Sequence, residues 1–75
     1  MAQVEEVLAQ AERHVREGEG RLVRQAALVA RMEAQGLDPS EARAGLVQLR
    51  RTLALWRADL HRMRAACFPE TTPPA

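Results

Sequence analysis

Apolar residues recur along this chain at alternating intervals of four and three. The first half carries Val4, Leu8, Ala11, Val15, Leu22, Val29 and Met32, with Gly18 and Gln25 filling the two remaining places of the series. The second half carries Ala42, Leu46, Leu49, Leu53, Trp56, Leu60, Met63 and Cys67. A sustained period of about 3.5 residues predicts helices packed in the manner of a left-handed coiled coil. No alternating β-branched run competes with it, and Ala, Leu, Glu, Gln and Arg, all strong helix formers, dominate the composition.

The pattern is interrupted once, at "AQGLDPSEARAG", residues 34–45. Gly36 can take the left-handed conformation that closes a helix after Gln35. Asp38 is then placed as N-cap, Pro39 as first helical residue and Glu41 as third, a capping-box-like order with Leu37 as hydrophobic staple. The prediction is one all-α domain over residues 1–68: helix over 3–35, turn at 36–38, helix over 39–67. The ending "PETTPPA", residues 69–75, has nothing to bury and is expected to be disordered.

So short a connection folds the helices back antiparallel. With the fold point at Leu37–Asp38, facing residues have numbers summing to about 75. Val29 then meets Leu46, Leu22 meets Leu53, Val15 meets Leu60 and Leu8 meets Cys67. Between those layers lie Met32 with Ala42, Gln25 with Leu49, Gly18 with Trp56, and Ala11 with Met63. Opposite the largest side chain of the chain, Gly18 reads as room for the indole, so the first helix is expected to run through Gly18 and Gly20. A bend at these two glycines is the alternative. On one flank Glu12 faces Arg64, Glu19 faces Arg57 and Glu33 faces Arg43; on the other, His14 approaches Asp59, Arg21 approaches Thr52 and Leu28 faces Gly45.

A two-helix hairpin has one interface, yet "LVRQAALVARM" is apolar around most of its helix, and Val47, Ala54 and Leu55 also lie off the seam. Such surface implies a partner. The expected one is a second copy, giving a four-helix bundle, with a different helical protein docking in the same groove as the competing reading. The residues expected to carry the interaction are Leu22, Val23, Leu28, Val29, Leu46, Val47, Leu53, Leu55 and Trp56.

Composition narrows the function classes. A chain of 75 residues makes one small domain that is marginal alone. Cys67 is the only cysteine, so no disulfide forms within the chain, and a lone thiol fits a reducing compartment. Arginines number 11 against 10 acidic residues, a balance that argues against a dedicated nucleic-acid or membrane-surface binder. That every basic residue is arginine is explained more simply by codon bias than by phosphate recognition. The start lacks the pattern of a secretion signal and no apolar run is long enough to span a bilayer, so a cytoplasmic protein without membrane contact is expected.

Candidate chemistry is sparse. His14 and His61 lie at similar height near Asp59 and Glu17, but nothing resembles the spacing of a zinc site, and no metal or other cofactor is expected. No nucleophile, base and orienting group stand together, so the chain does not read as an enzyme. Cys67 reads as a small apolar residue ending the stripe, a redox role being the alternative. The helices are too long and too nearly antiparallel for a helix-turn-helix, although Arg50, Arg51, Arg57, Arg62 and Arg64 make a nucleic-acid-associated regulator the second functional reading.

Residues 11–63 resemble a group of short uncharacterised bacterial proteins common in alphaproteobacteria. The resemblance is carried by His14, Glu17-Gly18-Glu19, Arg24-Gln25, Leu28, Gly36 and Leu53-Ala54-Leu55. It implies a two-helix domain and brings no activity with it. Gly20 departs from the pattern, where a charged residue is more usual.

Overall fold

The structure, a computed structural model, describes residues 2–67 and consists of two α-helices, α1 over Ala2–Ala34 and α2 over Ser40–Cys67. The tail over residues 69–75, expected to be disordered, lies outside the described residues. At about 1.5 Å per residue, α1 is ~50 Å long and α2 ~42 Å. They pack antiparallel along their whole shared length, with Glu33 beside Arg43 at the turn and Glu12 beside Arg64 at the open end.

The turn is built from a C-cap and an N-cap in immediate succession. Gly36 has φ of 72°, and its amide donates to the Glu33 carbonyl at 3.1 Å while the Leu37 amide donates to that of Met32 at 2.8 Å. This is the Schellman pair of bonds, which satisfies carbonyls that the helix end would otherwise leave open. Two residues beyond Gly36, Asp38 Oδ1 accepts from the Ser40 amide at 3.0 Å and from the Ser40 hydroxyl at 2.6 Å. Asp38 thus caps α2 through Ser40, while the return bond of a capping box, from the Asp38 amide to the Glu41 carboxylate, is not among those made by the described residues. The Pro39 carbonyl accepts the first helical bond, from the Arg43 amide at 2.8 Å.

The buried residues follow the heptad. Leu8 and Val15 on α1 pack with Leu53 and Leu60 on α2 as one cluster; Val29 packs with Ala42 and Leu46 as another. Leu22 belongs to both and joins them. Leu53, at 0% exposure, is the only large side chain fully withdrawn from solvent among the described residues.

α1 runs unbroken through Gly18 and Gly20. A Cβ at Gly18 would lie 2.9 Å from Leu53 Cδ1 and 3.2 Å from Trp56 Cζ3, so the missing side chain is the space those residues occupy. Gly45 does the reciprocal service on α2. Its notional Cβ would lie 3.2 Å from Gln25 Nε2, and that nitrogen donates to the Ala42 carbonyl at 3.0 Å. Without a side chain three residues on, the Ala42 carbonyl is open to a second donor. Gln25 therefore leans toward the turn, onto Ala42 and Gly45, and not squarely onto Leu49. Gly20 is different: its notional Cβ meets only the mobile end of Arg24, at 3.4 Å.

Two predictions follow from the glycines and the cap. Substituting Gly20→Ala should raise stability by about 0.5–1 kcal/mol, because the site is open and Ala is the better helix former. Gly18→Ala gains the same propensity but forces a methyl onto fully buried Leu53, at about 1–3 kcal/mol, so it should lower stability; thermal unfolding followed by circular dichroism reads both signs. The bonds from Ser40, its hydroxyl foremost, hold the Asp38 carboxyl below its ordinary value of 3.8. A carboxyl depressed in the folded state stabilises above that ordinary value, and the contribution is lost as pH falls through the lower, folded one. Asp38→Asn should therefore flatten the dependence of the unfolding midpoint on pH below 3.8, the wild type losing more than the variant on acidification.

Candidate interaction surface

The hairpin has two long sides, and they differ in chemistry. One is closed by charge across the groove. Glu33 pairs with Arg43 at 2.8 Å, Glu19 with Arg57 at 3.8 Å and Glu12 with Arg64 at 3.6 Å, all three as the register requires. Beneath the last two pairs lie Val15 and Leu60, with Arg16 and His61 on the rim. All these ionic groups keep substantial contact with water, so the pairs favour one register and hold little binding energy.

No ion pair bridges the other side among the described residues. Near the turn, Gln25 and Leu28 of α1 meet Gly45 and Leu49 of α2 in a shallow groove whose α1 rim is Arg21, Arg24 and Arg31. Midway, the His14 ring lies 5.9 Å from the Trp56 ring at an interplanar angle of 50°. At the open end, Val4 and Val7 form an apolar hollow with Met63, Ala66 and Cys67. Heptad spacing connects these parts: Val7, His14, Arg21 and Leu28 share one helical position on α1, and Gly45, Thr52, Asp59 and Ala66 share the facing one on α2. Only Arg21 and Asp59 in those two rows are charged, and Asp59 is bonded to Arg62 of its own helix.

Two expectations change here. His14 does not bond Asp59. Arg62, three residues from Asp59 on the same helix, holds the carboxylate, and the imidazole packs on the indole instead. The residues chosen for the interaction surface also separate into three sets. Leu22, Val29, Leu46 and Leu53 belong to the seam core, with Trp56 packed against it. Leu28 lines the neutral groove. Val23, at 69% exposure, lies one turn beyond Glu19 and Val47 one turn beyond Arg43, so both flank the ion-paired side; Leu55, at 67%, points outward from α2. Sequence reasoning passed over Val4, Val7, His14, Leu49 and Met63 as parts of one surface. The signal was the absence of glutamate from the heptad row 7, 14, 21, 28, where the opposite flank carries three.

Among the described residues no group of three or more His, Cys, Asp or Glu could hold a metal ion, and no helix is long and apolar enough to cross a membrane. Cys67 is a free thiol, partly covered, in the apolar hollow at the open end. Comparison of the chain with protein-family models, curated proteins and solved structures returns no match.

The ion-paired side makes its own prediction. Arg43→Glu sets a carboxylate against Glu33 and should cost no more than about 1 kcal/mol; adding Glu33→Arg should recover most of the loss. Chemical denaturation of the two single variants and the double variant measures this coupling.

Proposed function

We propose that this protein is a small, non-enzymatic, cytoplasmic interaction or regulatory module that works as a homodimer, two hairpins laying their neutral sides together as a four-helix bundle. The observation that carries this reading is the asymmetry of the two sides. One groove is bridged by three ion pairs; the other has none and leaves Val4, Val7 and Leu28 exposed along it, with Arg21, Arg24 and Arg31 on its α1 rim near the turn. Contiguous apolar surface on so small a domain is stabilised by being covered. The groove is shallow and lined by Gln25, Leu28, Gly45 and Leu49, which suits helix-on-helix packing.

A nucleic-acid role for the α2 arginines has less support. Arg43, Arg57 and Arg64 are engaged by α1 glutamates and Arg62 by Asp59, leaving Arg50 and Arg51 as the α2 arginines without a carboxylate partner among the described residues.

Light scattering on the purified chain tests the dimer. The mass should be twice that of a chain of 8.4 kDa. Leu28→Glu, which sets a charge in the neutral groove, should weaken association at least tenfold, whereas Val23→Glu on the opposite flank should leave the mass unchanged. A folded wild type that stays monomeric at every concentration would falsify the reading, as would equal sensitivity to both substitutions.

A further inference from the structure

The five arginines of α1, Arg13, Arg16, Arg21, Arg24 and Arg31, make no ion pair among the described residues, while Glu12, Glu19 and Glu33 of the same helix are turned across the groove to α2. Arg13, Arg16, Arg21 and Arg24 surround a depression at Gly20, where the absent side chain lets the Arg24 guanidinium lie close over the helix. Glu17 is the one carboxylate in that ring. Arg31 extends the series toward the turn, so the row spans 18 residues of one helix, about 27 Å. Glu5 and Glu6 lie at the open end, and Asp38 and Glu41 at the turn. A chain of nearly balanced charge thus carries an arginine-rich face on α1, reaching from Arg16 at the rim of the ion-paired groove to Arg21, Arg24 and Arg31 at the rim of the other.

We propose that this face of α1 binds the phosphate backbone of double-stranded nucleic acid, without reading sequence. Charge complementarity selects the occupant. Arginine's planar fork matches phosphate oxygens, and five arginines spread over about 27 Å of helix can meet several successive phosphates. No aromatic side chain stands among these arginines to stack an unpaired base, which favours a duplex over a single strand. The whole-chain charge gives no hint of this surface because the cancellation takes place elsewhere, between Glu12, Glu19, Glu33 and their α2 partners. Each hairpin carries all five arginines, but Arg21, Arg24 and Arg31 also rim the groove assigned to the second copy, so Arg13 and Arg16 are the ones that pairing leaves clear.

Fluorescence anisotropy of a labelled mixed-sequence DNA duplex of about 20 base pairs, titrated with the full chain at several salt concentrations, tests it. Binding should appear at low salt, and log K should fall linearly with log salt at about −0.9 per phosphate neutralised. The triple variant Arg13→Gln, Arg16→Gln, Arg24→Gln should bind at least tenfold more weakly with a shallower salt slope, and circular dichroism should show its helices intact, since all three side chains are exposed. The double variant Arg50→Gln, Arg51→Gln should bind within about twofold of wild type. No binding at low salt overturns the proposal, as does equal loss in the two variants. Displacement of the duplex by polyglutamate as effectively as by unlabelled duplex, charge for charge, also overturns it, assigning the stripe to an acidic protein.

Discussion

The register of the hairpin depends on Gly18 receiving Leu53 and Trp56. A slip of one heptad would still set Glu12 against Arg57 and Glu19 against Arg50, so the ionic flank alone tolerates the wrong alignment. The indole does not: its alternatives on α1 are Ala11 and Gln25, and neither offers the space that a missing Cβ provides. Gly45 beneath Gln25 repeats the device with the helices exchanged. Each helix carries one notch, filled by Leu53 and Trp56 on one side and by Gln25 on the other. The turn, with its Schellman closure at Gly36 and its cap at Asp38, places the notches opposite their occupants from one end.

That register sorts the remaining side chains by side. Glutamates at 12, 19 and 33 meet arginines at 64, 57 and 43, and one groove is closed to partners by its own charges. The same rotation brings Val7, His14 and Leu28 to the other groove, which has no comparable closure. It also leaves the α1 arginines without the cross-groove partners that Arg43, Arg57 and Arg64 have, Glu17 being the one carboxylate among them. Neutral groove, ionic groove and cationic back are three consequences of one alignment of two helices.

Much of this was legible in the sequence, because the seam rests on local rules. The 3.5-residue stripe, the punctuation at Gly36, Asp38 and Pro39, and antiparallel arithmetic from one fold point are enough to place Leu22 with Leu53, Gly18 with Trp56 and each of the three cross-groove ion pairs with its partner. What was not legible is competition for a single atom. Asp59 could bond His14 or Arg62, and the intrahelical neighbour holds it. Gln25 leaves its layer because Gly45 exposes a carbonyl. The apolar residues outside the seam were read as one patch, but apolar content does not fix azimuth: the helix rotation carries Val23 and Leu28 to opposite flanks. The basic surface moved from α2 to α1 for a related reason, since partners decide which arginines remain available.

The central claim is that the neutral groove is covered by a second copy, and the thermal unfolding midpoint measured against chain concentration tests it most directly. A native state stabilised by association melts at a midpoint that rises steadily with concentration, because mass action favours the paired form. A midpoint that stays constant over a thousandfold range of concentration, in a chain that unfolds cooperatively, would contradict it and leave the hairpin a self-sufficient monomer.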